Sequence, residues 1–432
     1  MHADTIFAVA SGAGQAAIAV LRLSGPASRD VLAALCGRLP APRRAALRRL
    51  RTPADGELDR AIVLWLPGPG SYTGEDAAEL HLHGGRAVQE GVAAALVALG
   101  ARPAEPGEFT RRAFLNGRMD LTEAEAVHDL IAAETEAQRR QALRQLDGAL
   151  GTLYGGWADR LRLLLAQQEA LIDFPDEDLP PEVEAQVMAD LAALHGAVTA
   201  HLDDGRRGER LREGLVFAVT GRPNVGKSSL VNALAERDVA IVSARPGTTR
   251  DVLETRVVLG GVPVTLVDTA GLRDTTDEIE AEGVRRARAR AAAADLVIEV
   301  VEAGEPAEAG EAGEAGPHLL VANKADLGGT VPAGAIGVSA VTGAGLAALR
   351  ARLGEAARSL TDSAGPPPLT QARHRAALLE AAERLDGART ADLPELRAED
   401  LRLALRALGR ITGAVGVEDI LDTLFARFCI GK

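Results

Sequence analysis

Eight residues, "GRPNVGKS" at 221–228, constrain this chain more than any others, because they lie between an apolar run, "GLVFAVT", and a helical stretch. G-x-x-x-x-G-K-[ST] in that setting is a phosphate-binding loop. The backbone N–H groups of Asn224, Val225 and Gly226 and the N-terminus of the following helix, with Ser229 in its first turn, face a phosphate chain. Lys227 supplies a compact charge to the β and γ oxygens, and the Ser228 hydroxyl is placed for Mg²⁺.

Four further elements follow in order: "TTRD" (248–251), "DTAG" (268–271), "NKAD" (323–326) and "SA" (339–340). They bring Thr248 and Thr249, then Asp268, Thr269, Ala270 and Gly271, then Asn323, Lys324 and Asp326, and last Ser339 and Ala340 to one nucleotide. Asp326 can accept two hydrogen bonds from the N1–H and N2–H₂ of guanine, which adenine does not offer in that arrangement. Strands alternate with helices through this stretch ("VTLVDTAG", "DLVIEVVE", "HLLVANKAD", "AIGVSA"), the pattern of a mostly parallel sheet wrapped by helices. These residues predict a Ras-like P-loop GTPase domain over 214–360, binding GTP.

Leu272 follows D-x-x-G, where Ras-type GTPases carry a water-orienting glutamine. Another group must then orient water, and another positive charge must replace an arginine finger. Glu280, nine residues after Gly271, is a candidate for the first, with a solvated helix start as its other reading. For the second, the Asn224 amide oxygen lies beside the β/γ bridge, where K⁺ could be held together with backbone groups of "SARPGTT" (243–249).

The flanks differ in texture. Residues 1–118 mix short apolar runs, turns and a helical stretch near 86–99, as in a small α+β domain. From 119 the period is helical. Thr122 with Glu125 has capping-box spacing, and Leu143, Leu146, Leu150, Leu153, Trp157, Leu161 and Leu164 mark one apolar stripe on a long helix. Pro180 and Pro181 can open the next helix. "DSAGPPPL" (362–369) reads as a linker, and helical texture returns beyond it. The expected organisation is multidomain, α+β and α/β: an N-terminal domain at 1–118, a discontinuous helical domain at 119–213 and 361–432, and the GTPase domain inserted into it. The acidic repeat at 302–316 reads as a surface loop.

Composition excludes some classes. Two cysteines in 432 residues give no disulfide framework. No charged segment precedes an apolar run at the start, and no run is long enough to span a bilayer, so the expected location is the cytoplasm with no membrane partner. A net charge of −13 means that any RNA contact needs a local basic patch. The runs at 43–51, 139–144 and 285–290 are candidates, read first as solvated helix faces.

Only three lysines stand among 48 basic residues: Lys227, Lys324 and Lys432, the last in the closing "CIGK" with Cys429. That ending, with "DTIFAVA", "LRLSGP", "SYTGEDAAELHLHGG" and "ARPAEPGEFTRRAFLNGRMDLTEAEAV", resembles the tRNA modification GTPase family MnmE, also called TrmE, over nearly the whole chain. The resemblance implies an N-terminal domain that binds a tetrahydrofolate derivative (5-formyl or methylene form) and makes a homodimer. It also implies a heterotetramer with an FAD-binding tRNA-modification partner protein, which builds an aminomethyl-type group on C5 of the wobble uridine of certain tRNAs. By position, Arg22, Glu79, Arg118 and Lys432 match folate-contacting residues. Asn224, Ser243, Arg245 and Thr248 match K⁺ ligands, Ser228 and Thr249 match Mg²⁺ ligands, and Glu280 matches the water-orienting glutamate.

Cys429 is read either as a thiol delivered to the folate site or as a small buried hydrophobe, and Lys432 as a cation at that site or a frayed terminus. Two features depart from the family: "SGAGQAA" (11–17) stands where a "TPPGRGG"-like start is usual, and the repeat at 302–316 is unexpected. The alternatives are an Era- or Der-like GTPase switch in ribosome assembly, or a folate-binding partner with a vestigial GTPase.

Overall fold

The structure, a computed structural model, describes residues 4–12, 14–52, 56–173, 181–237, 254–268, 292–305, 317–362, 366–416 and 418–431. The chain divides into two compact units: Met1–His128 with Leu146–Arg162 and Leu405–Lys432, and Asp129–Gln145 with Leu163–Ala404.

The first unit is built on β1 (Ile6–Val9), β2 (Ile18–Ser24), α1 (Ser28–Cys36), β3 (Ala46–Thr52), β4 (Gly56–Leu66), β5 (Ala77–His83), α2 (Arg86–Ala98), β6 (Arg102–Pro103), α3 (Glu108–Leu115) and the start of α4 (Leu121–Ala132). The six strands form one sheet in the order β3-β4-β5-β2-β1-β6, antiparallel except for β1 with β6. Side chains alternate between faces along each strand. On one face Leu21, Leu23, Val63, Trp65, Leu80 and Leu82 are buried against Leu32 and Leu35 of α1 and Val92 and Leu96 of α2. The opposite face carries Arg22, Glu79 and His81, the residues between those apolar ones.

The second unit begins within α4 and takes in nearly all of α5 (Glu136–Leu146), the later part of α6 (Ala149–Asp173), whose first part belongs to the first unit, and then α7 (Pro181–Leu202) and α8 (Arg207–Glu213). Then come β7 (Leu215–Thr220), α9 (Lys227–Arg237), β8 (Glu254–Leu259), β9 (Val262–Asp268), β10 (Leu296–Glu302), β11 (His318–Asn323), β12 (Ile336–Gly337) and α10 (Leu346–Thr361). Helices α11 (Ala372–Thr390), α12 (Pro394–Thr412) and α13 (Glu418–Phe425) follow, with α13 and α12 from Leu405 on lying in the first unit. The second sheet runs β12-β11-β10-β7-β9-β8, parallel except for β8, an antiparallel edge strand that the sequence pattern did not mark. Its central strands are apolar on both faces, as a sheet covered on both sides requires; Phe217, Leu266, Ile298, Val321, Leu349 and Leu353 are all fully buried.

Three local expectations are corrected. The expected single helix through Leu143 and Leu164 is two helices, α5 and α6, separated at Asp147 and Gly148; Gly148 has φ 81°, a conformation that stops an α-helix. The capping box opening α4 lies two residues earlier than expected. The Asp120 carboxylate accepts from Glu123 N at 2.8 Å, and the Glu123 carboxylate accepts from Asp120 N at 2.7 Å. The basic run at 43–51 is no helix face: most of it is strand β3.

Candidate functional site

The phosphate-binding loop lies between β7 and α9. Asn224 sits at φ 65° and Gly226 at φ 93°, turning successive backbone N–H groups inward. A Cβ on Gly226 would stand 2.3 Å from the Asn323 amide nitrogen, so only glycine lets the two loops close. Lys227 is buried and its Nζ donates to Gly221 O at 2.8 Å and Arg222 O at 2.7 Å, holding the ammonium across the loop mouth. Burial pulls its pKa below the ordinary 10.5, against the opposing Asp268 carboxylate. Ser228 Oγ donates to the carboxylate of Asp268, the last residue of β9. Ser228 and Ser229 are exposed at the start of α9, and Val225 is buried beneath the loop.

One amide joins three of the sequence motifs. Asn323 Nδ2 donates to Val225 O at 2.9 Å, while its Oδ1 accepts from Ala340 N at 3.1 Å. Lys324 takes φ 62° and its ammonium meets the Glu302 carboxylate at 2.6 Å. Asp326 is exposed in the short 3₁₀ turn Ala325–Leu327. The buried Ser339 Oγ accepts from Thr342 N at 3.1 Å, closing the loop that presents Ala340. The described residues among those expected at the phosphates and the guanine thus lie at the ends of β7, β9, β11 and β12. Ser243, Arg245, Thr248, Thr249, Thr269, Ala270, Gly271 and Glu280 lie outside the described residues, as do Lys432 and residues 306–316 of the acidic repeat.

A second cluster forms on the open face of the first sheet. Arg22 of β2 and Glu79 of β5 are cross-strand partners, and Arg22 Nη2 and Nε both donate to Glu79 Oε1, at 3.0 and 3.2 Å. The guanidinium lies 5.2 Å from the centre of the Tyr72 ring and 5.8 Å from that of Phe109, within cation–π range. His81 Nε2 stands 3.6 Å from Glu79 Oε2. Arg22 Nη1 and His81 Nε2 are buried without a hydrogen-bond partner among the described residues. Arg118 is exposed at the edge of the loop before β5, where a Cβ on Gly74 would lie 3.2 Å from its Cγ.

Sequence reasoning missed what holds this cluster. Tyr72 and Thr110 hydroxyls are 2.8 Å apart, and Asn116 Nδ2 donates to Thr73 O at 2.7 Å. Arg112, wholly buried, donates to Asp4 Oδ1 and Glu108 Oε1 at 2.8 and 2.9 Å and reaches Glu75 Oε2 at 3.3 Å. Glu75 in turn accepts from Ser24 Oγ at 2.8 Å. Buried arginines with several carboxylates are rare enough to mark a structural brace. The only local signal was the density of Arg, Glu and Thr in "GEFTRRAF".

The segment after α13 packs onto the same unit. Gly107 N donates to Cys429 O at 3.4 Å, and a Cβ on Gly431 would lie 2.5 Å from Val9 O of β1. Cys429 itself is exposed, which removes its reading as a small buried hydrophobe.

Residues 5–118 match the family of the GTP-binding protein TrmE N-terminus, and residues 121–429 match that of the MnmE helical domain. A tRNA modification GTPase MnmE from Gluconacetobacter diazotrophicus is 64% identical over 99% of this chain and 98% of its own length. Proteins of the same name from Granulibacter bethesdensis and Rhodospirillum rubrum are 58% and 56% identical, each over 100% of both chains.

Proposed function

The chain belongs to the MnmE family of tRNA modification GTPases, and from that premise we propose that it is a K⁺-activated GTP hydrolase that modifies C5 of the wobble uridine with a flavin-binding partner and a tetrahydrofolate one-carbon unit. It is an enzyme of GTP hydrolysis in tRNA modification. The match runs the full length of both chains, which removes the Era- or Der-like reading.

The observation that carries the finer proposal is the pairing of Ser228 with Asp268 beside Lys227. A hydroxyl and a buried ammonium at the start of α9, facing a carboxylate at the end of β9, are the donor set that a Mg²⁺-bound triphosphate requires, so the residues fit. Ser228 and Thr249 would hold Mg²⁺; Asn224, Ser243, Arg245 and Thr248 would hold K⁺. Bound there, the two cations supply positive charge to the β/γ bridge. Lys227 exchanges its two carbonyl partners for phosphate oxygens, which favours its charged form. Glu280 accepts a hydrogen bond from the attacking water and orients it in line.

The N-terminal cluster fits an acceptor-bearing heterocycle. Arg22 Nη1 has a free donor position, Glu79 Oε2 can still accept, and Tyr72 and Phe109 supply ring faces. We assign Arg22, Glu79, Arg118 and Lys432 to the tetrahydrofolate derivative, which supplies the one-carbon unit when bound. We further read 1–118 as the homodimer-forming domain, 214–360 as the GTPase domain and the flanking helices as one domain. Among the described residues no helix is long and apolar enough to cross a membrane, and a cytoplasmic site of action is proposed.

The test is mass spectrometry of tRNA nucleosides from cells lacking this protein, rescued with wild type, Glu280→Ala or Cys429→Ser. Wild type should restore the modified wobble uridine and Glu280→Ala should not. Unchanged tRNA in the deleted cells would sink the proposal. Rescue by Cys429→Ser would leave the GTPase reading standing and remove the thiol from the chemistry. Equal GTP turnover in Na⁺ and K⁺ would remove the K⁺ site.

A further inference from the structure

The chain is acidic overall, yet its charge is unevenly spread. Residues 1–118 hold 14 arginines against 11 aspartates and glutamates, a balance of +3, which leaves −16 for the rest of the −13 total. Within that stretch, residues 31–54 hold six arginines and no carboxylate. Strand β3 carries three of them, Arg48, Arg49 and Arg51, at the edge of the sheet.

The register concentrates this charge. Arg49 stands directly opposite Arg60 of β4, a like-charge cross-strand pair of the kind that destabilises a sheet. One carboxylate, Glu57, serves three guanidiniums: Arg60 at 2.6 Å, Arg51 at 3.8 Å and Arg49 at 3.9 Å. All three arginine side chains are more than half exposed. Leu47 and Ile62, also cross-strand partners, are exposed on the same face, so no helix among the described residues covers it there.

We propose that the arginines of the β3–β4 edge, Arg49, Arg51 and Arg60, form a surface that takes the phosphate backbone of tRNA. This rests on the reading that tRNA is the substrate. A phosphate between Arg49 and Arg60 relieves their repulsion and replaces a carboxylate already stretched over three partners. Among the described residues no aromatic side chain is exposed on this strip, Trp65 of β4 being buried on the other face, which fits backbone contact and not base reading. Edge strands do carry charges to prevent edge-to-edge pairing. That role asks for charge of any sign and does not account for two arginines placed face to face.

The experiment is an anisotropy titration of the full-length protein with unmodified tRNA across a range of KCl concentrations. It compares wild type with the triple variant Arg49→Gln, Arg51→Gln, Arg60→Gln. Arg139→Gln with Arg140→Gln is the control, because those arginines lie on α5 and share Glu136 at 2.7 and 2.8 Å. The slope of log Kd against log salt should fall by about one for each phosphate-contacting arginine removed, with weaker binding at every salt concentration. Tm, the absence of aggregation and GTP turnover should stay as in wild type. An unchanged slope and affinity in the triple variant, or an equal loss in the control, overturns the proposal. Wild type that fails to bind tRNA at low salt brings down the substrate reading as well, a separable result.

Discussion

The nucleotide loop and the cluster around Arg22, the proposed folate site, are built from opposite materials. At 221–228 the polar groups are mainly consecutive backbone ones, fixed by Asn224 and Gly226 at positive φ and locked by the amide of Asn323. Around Arg22 they come from side chains 57 residues apart in sequence, brought together by the pairing of β2 with β5 and braced from behind by Arg112. A site made of backbone depends on a few glycine-permitted angles. A site made of side chains depends on the whole sheet.

The widest gap between them should appear with Lys227→Ala. Loss of the one ammonium that spans the loop mouth should lower GTP turnover at least about a hundredfold, comparable to losing a single transition-state donor. Folate binding, measured by equilibrium dialysis, should not move. A parallel loss of folate binding would break the comparison, because the two sites would then share their support.

Arg112→Met tests the brace. Removing this wholly buried cation leaves Glu75 without its arginine and Asp4 and Glu108 with Arg102 alone, and unfolding of the first unit should become easier by about 3 kcal/mol or more. Denaturant titration of the full chain should show the transition of that unit moving alone. A uniform shift of both units would contradict the assignment of the network to one of them.

Arg22→Ala is a milder change, since the fold keeps Glu79 partly solvated. Folate affinity should fall by about 2 kcal/mol, roughly thirtyfold, for the loss of a charged hydrogen-bond donor. GTP turnover in K⁺ should be unchanged. Unaltered folate affinity would detach the cluster from the ligand.

The smallest effect is in acid. Burial opposes ionisation of Glu108, but hydrogen bonds from Arg102, Glu105 N and Arg112 outweigh it and hold its pKa below the ordinary 4.5. A depressed carboxyl pKa gives stability that is complete above the unfolded value and is lost as pH falls through the folded one. The first unit should therefore begin to weaken below pH 4.5. Glu108→Gln should flatten that dependence in thermal melts taken between pH 7 and acid.

The difference in materials also decides what the sequence could tell. The nucleotide site was legible because backbone chemistry leaves a contiguous trace: Gly221, Gly226, Lys227 and Ser228 stand in a fixed pattern, and Asp268 and Asn323 close their strands. Arg22 and Glu79 lie inside ordinary alternating strands, and only likeness to a family pointed to them. Tyr72, Phe109 and Arg112 left no trace beyond the charge density of "GEFTRRAF", since nothing local says that a loop and a helix will meet over one guanidinium. The helix break at Gly148 and the box at Asp120 were misread because a leucine repeat and a Thr–Glu spacing continue across them. The run at 43–51 was misread for a related reason, as arginines are common on helices and period two is hard to see in "RRAALRRLR".

Gly431 rests against Val9, so the last turn of the chain packs on its first strand. During synthesis, Ile6–Val9 leaves the ribosome more than 400 residues ahead of its packing partner. The second unit, whose segments fall between them, is complete by Ala404 and free to fold first. The N-terminal sheet can thus close over α1 and α2 early, while the surface around Val9 stays uncovered until Gly431 has been made.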